Sequence, residues 1–438
     1  MRYIFLFSFL LIAFLGQAQN EEQDVKQYKK RVLETVEIDF LSSFYSQDGD
    51  NAAVTGGVGT EELTDINPTL VVSIPLNDDD VLTIDASVSA YTSASSSNID
   101  PFDGNGPADP FVESSGASSG DVWTSGTFTY SHSSDDRNAI WNAKLSVAIE
   151  YDYFSVGFGG GYTKLFNEKN TEVSVNANVF LDTWNAIYPF ELRPFGLNGD
   201  GINNSLFTEN TITGNTNYNP IFTEFENETR NTYALGFGFS QILSKRLQGS
   251  LAIDLVRQEG LLSTPFHRVN FADVADSFIE NFQLGDAVER LPDSRFKIAV
   301  GGRLNYYINE HVVLRSFYRY YTDDWGINSH TASIEIPIKI SSKFTLYPSY
   351  RYYTQTAADY FAPSEENLST QEFFTSDFDL SDFNANQYGF GITYTDIFTR
   401  LKIWKLGLKS IDLRVSKYDR NTGLSSFLIS SGFKYIFN

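Results

Sequence analysis

The chain has 438 residues, with 55 Asp and Glu against 32 Lys and Arg, a formal net charge of −23, and no cysteine. Lack of cysteine excludes a disulfide scaffold, thiolate-held zinc and a thiol nucleophile, and the acidity excludes the basic face that nucleic-acid binders present. Aromatic residues make up 15%, too many for an acidic disordered chain, yet mean hydropathy is only −0.24.

In chain order, Arg2 precedes an apolar run from Tyr3 to Leu15, broken only by Ser8 and followed by Gly16-Gln17-Ala18. The run is too short for a comfortable membrane span and ends in a small-x-small pattern, which predicts a secretory signal over 1–18 with Gln19 as the mature start. Residues 19–31 read as a periplasmic segment and 32–438 as one domain.

From about residue 32 the pattern is alternation. Leu82, Ile84, Ala86, Val88 and Ala90 share one face, opposite Thr83, Asp85, Ser87, Ser89 and Tyr91; Val173 to Asp182 repeat the pattern. Alternation fits a water-soluble sandwich or a transmembrane barrel, in which the apolar face meets lipid and the polar face the lumen. Sixteen strands are predicted, near 32–46, 66–77, 80–92, 123–133, 138–150, 154–166, 171–184, 229–243, 247–258, 295–308, 312–323, 327–340, 344–355, 386–395, 408–419 and 423–437. Every second connection is mostly a tight turn, such as Asn77-Asp78-Asp79-Asp80 or Asn167-Glu168-Lys169-Asn170, while the others include all the long ones, 47–65, 93–122, 185–228, 259–294 and 356–385. Short turns on one rim and long loops on the other are the outer-membrane layout. The fold class is therefore an all-β transmembrane antiparallel barrel of about sixteen strands, with fourteen or eighteen as alternatives, in the outer membrane of a Gram-negative bacterium.

The last strand places Gly432, Tyr435 and Phe437 in a polar-x-Gly-x-x-aromatic-x-aromatic pattern that resembles the signal read by the barrel assembly machinery. Tyr306, Tyr307, Tyr318, Tyr320, Tyr350, Tyr352, Tyr435 and Phe437 suit aromatic girdles. One stretch departs from period two: Ile397, Leu401, Trp404 and Leu408 are spaced near 3.6 among Arg400, Lys402 and Lys405, and fit either a short interfacial helix or a strand extension.

The loop Val54-Thr55-Gly56-Gly57-Val58-Gly59-Thr60-Glu61-Glu62-Leu63-Thr64-Asp65 and the segments Ser263-Thr264-Pro265-Phe266-His267-Arg268-Val269, Leu291 to Arg295, Tyr318 to Trp325 and Tyr350 to Gln355 together resemble an uncharacterised, domain-of-unknown-function family of Bacteroidota and Proteobacteria outer-membrane proteins. The resemblance covers nearly the whole mature chain and marks Gly56, Gly57, Gly59, His267 and Arg268 as loop-motif candidates. The resemblance implies a functional association with an exported flavin-transferase, a thioredoxin-like protein and a small lipoprotein, and no settled activity.

If Tyr318 and Tyr320 face lipid, period two turns Arg295, Lys297, Arg303, Arg315, Arg319 and Arg351 into the lumen as one basic wall, with Glu335 and Asp254 as partial neutralisers. Such a wall either orients anionic solutes in a pore or forms a structural salt-bridge ladder. The loops 47–66, 93–122 and 356–385 hold 17 acidic residues and no Lys or Arg; none has calcium-loop spacing, so they read as a solvated rim. Phe102, Phe111, Phe373, Phe374, Phe378 and Phe383 predict that loops fold onto each other or over the mouth, with 185–228 and 259–294 as plug candidates. The histidines, His132, His267, His311 and His330, show no pair at ligand spacing, so no metal, cofactor or catalytic residue is expected, and His267 with Arg268 reads as a loop clamp. The glycine run at 157–161 has no following Lys-Ser/Thr and is no phosphate loop; it relieves crowding on the wall. The chain reads as a porin-like channel or transporter for an unknown solute, or as a non-conducting scaffold or receptor. The partners expected are the lipid bilayer and the assembly machinery, with a periplasmic or lipoprotein partner left open.

Overall fold

The computed structural model describes residues 31–92, 121–185, 227–279 and 282–437, with short pieces between 194 and 220. The expected signal segment, the loop aromatics Phe102 and Phe111, and the rim acids Asp100, Asp103, Asp109 and Glu113 of the 93–122 loop lie outside the described residues.

Sixteen antiparallel strands form one closed sheet: β1 Glu37–Asp48, β2 Leu63–Pro75, β3 Asp80–Tyr91, β4 Asp121–Ser133, β5 Ala139–Ile149, β6 Tyr153–Phe166, β7 Thr171–Trp184, β8 Glu228–Ser244, β9 Leu247–Gly260, β10 Ser294–Tyr307, β11 Val313–Asp323, β12 Asn328–Glu335, β13 Phe344–Gln355, β14 Phe383–Thr395, β15 Leu406–Arg420 and β16 Ser425–Phe437. Closure is complete because β16 pairs with β1 from Glu37↔Ile436 to Asp48↔Ser425. A closed barrel leaves no unpaired edge, which is the condition for strands to cross a bilayer. Among the described residues no helix is long and apolar enough to cross a membrane.

The sequence explains the wall. Residues at period two point alternately out and in, and the register carries one face around the ring: Val72, Ile84, Phe128, Leu145, Phe158, Val179 and Tyr233 lie in line on the outside. Phe128, Phe158, Leu251, Tyr318 and Tyr388 are all more than half exposed. Such a continuous apolar belt is far beyond what a soluble surface tolerates, and lipid is its solvent. Inward positions carry Thr83, Asp85 and Ser87, and hydroxyls pair across strands, as between Thr69 Oγ1 and Ser87 Oγ at 2.9 Å. The lumen-facing Gly157 makes room for its neighbour: a Cβ there would meet the Phe180 ring at 2.7 Å.

Two strand expectations are corrected. The stretch 327–340 is broken, with β12 ending at Glu335 and Ile338–Lys339 pairing separately with β13; Pro337 between them has no N–H to give the ladder. The first strand starts at Glu37, not residue 32. At 397–404 the strand alternative holds: Lys402–Ile403 pairs with Leu406–Gly407 in a small hairpin. The Asp396 carboxylate accepts from the Leu401 amide at 2.9 Å, the local side-chain bond that competes with helix.

The most deeply buried side chains lie in the loops rather than the barrel. Val269, Asn367, Thr375 and Ser277 have no exposed surface, and Arg268 and Leu284 are 1% exposed. Two apolar clusters organise them: Leu262, Leu291 and Trp325 with Tyr360 and Leu380, and Val269, Phe271 and Phe374 with Val274 and Ala287.

Candidate functional site

The lumen wall follows from period two on β10 to β15. Register aligns Arg303, Phe317, Ser333, Arg351 and Gln387 on the inward face, with Arg319 beside Thr331 one inward row away. The six expected cations do not behave alike. Arg295 sits at the loop-side rim, its Nε donating to Asp323 Oδ2 at 2.9 Å and its guanidinium lying 4.3 Å from the Trp325 ring. Asp323 also accepts from the amides of Trp325 and Ile327 at 3.0 Å, so this pair fastens the tight β11–β12 turn. Arg303 stacks on Phe317 at 5.1 Å, and Lys297 is partly buried between these two levels.

Arg315 reaches Glu335 at 2.8 Å, and Glu335 also holds Arg414 at 2.8 Å. Arg414 Nε donates to Asp412 at 3.0 Å while the guanidinium lies over Tyr347 at 4.7 Å. Beside it the wall has a recess of about 210 Å³ that includes Tyr347, Ser349, Gln387, Gly389 and Gly391. Arg319 and Arg351, like Arg303, are exposed and without an ion-pair partner among the described residues, and they also lack the ring contact that holds Arg303. Asp254, the other expected neutraliser, is exposed and pairs with no cation among the described residues.

Sequence reasoning missed Arg414 and Asp412, which occupy inward positions of β15 and were legible by the same alternation. It also missed the lumen cluster at the closing seam, where Lys434 contacts Glu37 at 2.6 Å and Asp39 at 3.2 Å and Lys409 contacts Glu37 at 3.1 Å. Nearby on β16, Gly432 stands opposite Leu41 and Tyr435 opposite Ile38; Phe437 is exposed at the strand end.

Over the long-loop rim, three loops interlock. The β1–β2 loop, 49–62, presents Gly56, Gly57 and Gly59, all with positive φ. A Cβ on Gly57 would lie 2.7 Å from the Ser376 carbonyl, and one on Gly56 3.0 Å from Asn270 Nδ2. Glycine is required because the backbone must turn left-handed while another backbone passes. Arg268 Nη1, from the β9–β10 loop, donates to the Val54 carbonyl. The β9–β10 and β13–β14 loops are joined by bridges Phe271↔Asn367 and Arg290↔Phe374. In a ring of sixteen strands, β1–β2 and β9–β10 stand on opposite sides. Their loops meet only by crossing the mouth, so the barrel is roofed.

Within this roof the His267 imidazole faces two carboxylates, Glu289 Oε2 at 3.6 Å and Asp377 Oδ2 at 3.9 Å from Nδ1. Glu289 is fixed by the Thr264 amide at 2.7 Å and the Thr375 hydroxyl at 2.6 Å, and Asp377 Oδ1 by the Asp379 amide at 2.9 Å. Burial, then the charges of Asp379 and Glu289, holds the Asp377 carboxyl well above the usual carboxylate range, with His267 opposing. Burial pulls the His267 imidazole down, but Glu289, Asp377 and Asp379 more than reverse it, so its net shift is upward. The other histidines lie elsewhere: His132 contacts Asp80 at 2.6 Å, His330 contacts the Tyr318 hydroxyl at 2.7 Å on the outer face, and His311 sits exposed in a turn.

Residues 7–422 match the family model described as a protein of unknown function, DUF3570. The chain belongs to that family. No curated protein matches it. Among solved structures, a bacterial polysaccharide outer membrane secretin is 10% identical with a TM-score of 0.44, over 92% of this chain and 99% of that one. A TodX monoaromatic hydrocarbon channel variant is 9% identical with a TM-score of 0.40, over 93% and 91% of the chains. A BenF-like porin from Pseudomonas fluorescens is 9% identical with a TM-score of 0.39, over 92% and 99%.

Proposed function

We propose that this DUF3570 protein is an outer-membrane channel or transporter for small anionic or dipolar solutes, gated by its loop roof. The observation that carries the reading is the pair Arg319 and Arg351, exposed on the inward face without an ion-pair partner among the described residues. A structural ladder would satisfy its charges, as Arg315, Glu335 and Arg414 do. Guanidiniums left open to water in a lumen are the groups that attract and orient anions. Sixteen strands leave an aqueous interior in porins, wide enough for solute. The chemistry is passage, and no catalytic step is assigned to any residue.

Reversal potentials in a salt gradient test this. The wild type should favour anions, and the double variant R319A/R351A should lose most of that preference while inserting normally. Equal selectivity in the two proteins would remove the filter role.

A second reading, a non-conducting scaffold or receptor, is favoured by the roof itself, whose loops are tied across the mouth rather than left open. In that reading the long loops or the turn-side rim present a docking surface.

A further inference from the structure

We infer that His267, Glu289 and Asp377 form a site for one divalent cation of the zinc class, which fastens two loops of the roof together. Three ligand atoms, one from each residue, all lie within 4.8 Å of one another. The two distances from His267 Nδ1, 3.6 and 3.9 Å, are too long for hydrogen bonds. They are close to the edges of a coordination shell: donors about 2.0–2.2 Å from a tetrahedral zinc stand about 3.3–3.6 Å apart.

A second observation points the same way. His267 Nδ1 is buried and has no hydrogen-bond partner, although it faces two carboxylates. A buried ring nitrogen left without a hydrogen-bond partner costs free energy unless something occupies the space beside it. The carboxylates, meanwhile, are prepared rather than merely near. Glu289, 2% exposed in its side chain, is gripped by the Thr264 amide and the Thr375 hydroxyl. Asp377 is aimed by the Asp379 amide, leaving Oδ2 toward His267. Such outer contacts orient metal ligands and are part of a built site.

The donor set selects the class of ion. Imidazole disfavours calcium and magnesium, which take oxygen ligands. One nitrogen and two carboxylate oxygens, with water completing the shell, suit zinc and neighbouring first-row divalent ions. His267 and Glu289 belong to the β9–β10 loop and Asp377 to the β13–β14 loop, so the ion would cross-link them whether or not the barrel conducts.

The test uses full-length mature protein without a histidine tag, folded in detergent, stripped with chelator and titrated with Zn²⁺, then with Co²⁺ as a spectroscopic probe. Bound metal per chain is read by plasma mass spectrometry, and folding by heat-dependent gel migration. The wild type should hold one equivalent with visible Co²⁺ bands, and H132A should match it. H267A and D377N should each lose that equivalent, and E289Q serves if either fails to fold. A folded wild type without stoichiometric metal overturns the site, as does a folded D377N or E289Q that binds as the wild type does.

Discussion

Arg268 and Val54 lie 214 positions apart in the chain, and the guanidinium of one donates to the carbonyl of the other. They come from loops on opposite sides of a sixteen-strand ring, so this contact fixes the roof across the mouth. Arg268 is 1% exposed and Val54 5%, so water cannot replace the bond. The variant R268M should free the 49–62 loop at a cost of about 1.5–3 kcal/mol, the range for a hydrogen bond to a charged donor. Limited proteolysis of folded protein would show this as faster cleavage in 49–62, with the barrel band unchanged.

The same loop offers a backbone test. Gly57 has φ of +87°, and a Cβ would meet the Ser376 carbonyl at 2.7 Å. G57A should therefore destabilise the roof by about 1–3 kcal/mol while leaving barrel migration on gels intact. Protection of loop amides against hydrogen exchange reads the effect, and unchanged protection would show that the loop relaxes freely.

How much of this was legible in sequence divides along physical lines. The barrel was, because lipid and lumen are two solvents and each strand must alternate between them; Val173 to Asp182 carries that signal alone. Inward placement of Arg303, Arg315, Arg319 and Arg351 follows from the same period. Their partners did not follow, since Arg414 on β15 meets Glu335 on β12, three strands away around the ring, and register is a property of pairing. The roof was legible as aromatic loops that ought to fold, with 259–294 as a plug candidate and Arg268 in a loop clamp, but not in its cross-mouth partner Val54. His267, Glu289 and Asp377 come together through loops with no periodicity, and nothing in their spacing announces it.

Asp286 gives the roof a pH dependence. Burial, with the nearby charges of Asp276, Asp273 and Glu365, pushes its carboxyl up to about 6, despite a hydrogen bond from the Phe271 amide. A carboxyl raised from about 3.9 contributes stability fully present below about pH 4 and lost as pH rises through about 6. The full shift is worth about 3 kcal/mol, and partial exposure reduces it to about 1 kcal/mol. Roof protection should therefore rise between pH 7 and pH 4, and D286N should flatten that rise. A steeper profile in D286N would contradict the assignment.

Glu335 holds two guanidiniums, Arg315 and Arg414, each at 2.8 Å. E335Q removes one negative charge from the lumen and leaves both cations less compensated. Anion preference should increase in reversal-potential measurements, the opposite direction to R319A/R351A. The cost in barrel stability should be modest, about 1 kcal/mol, because the pairs are partly exposed to water.

Single-channel recording in planar bilayers distinguishes a roofed barrel whose lumen carries solute from a closed one. Wild-type protein and R268M are compared after insertion is verified independently. The wild type should give small, anion-preferring currents and R268M larger or longer openings, because the roof is untied. Silent membranes for both proteins at every voltage would contradict the channel reading and leave the scaffold reading in its place.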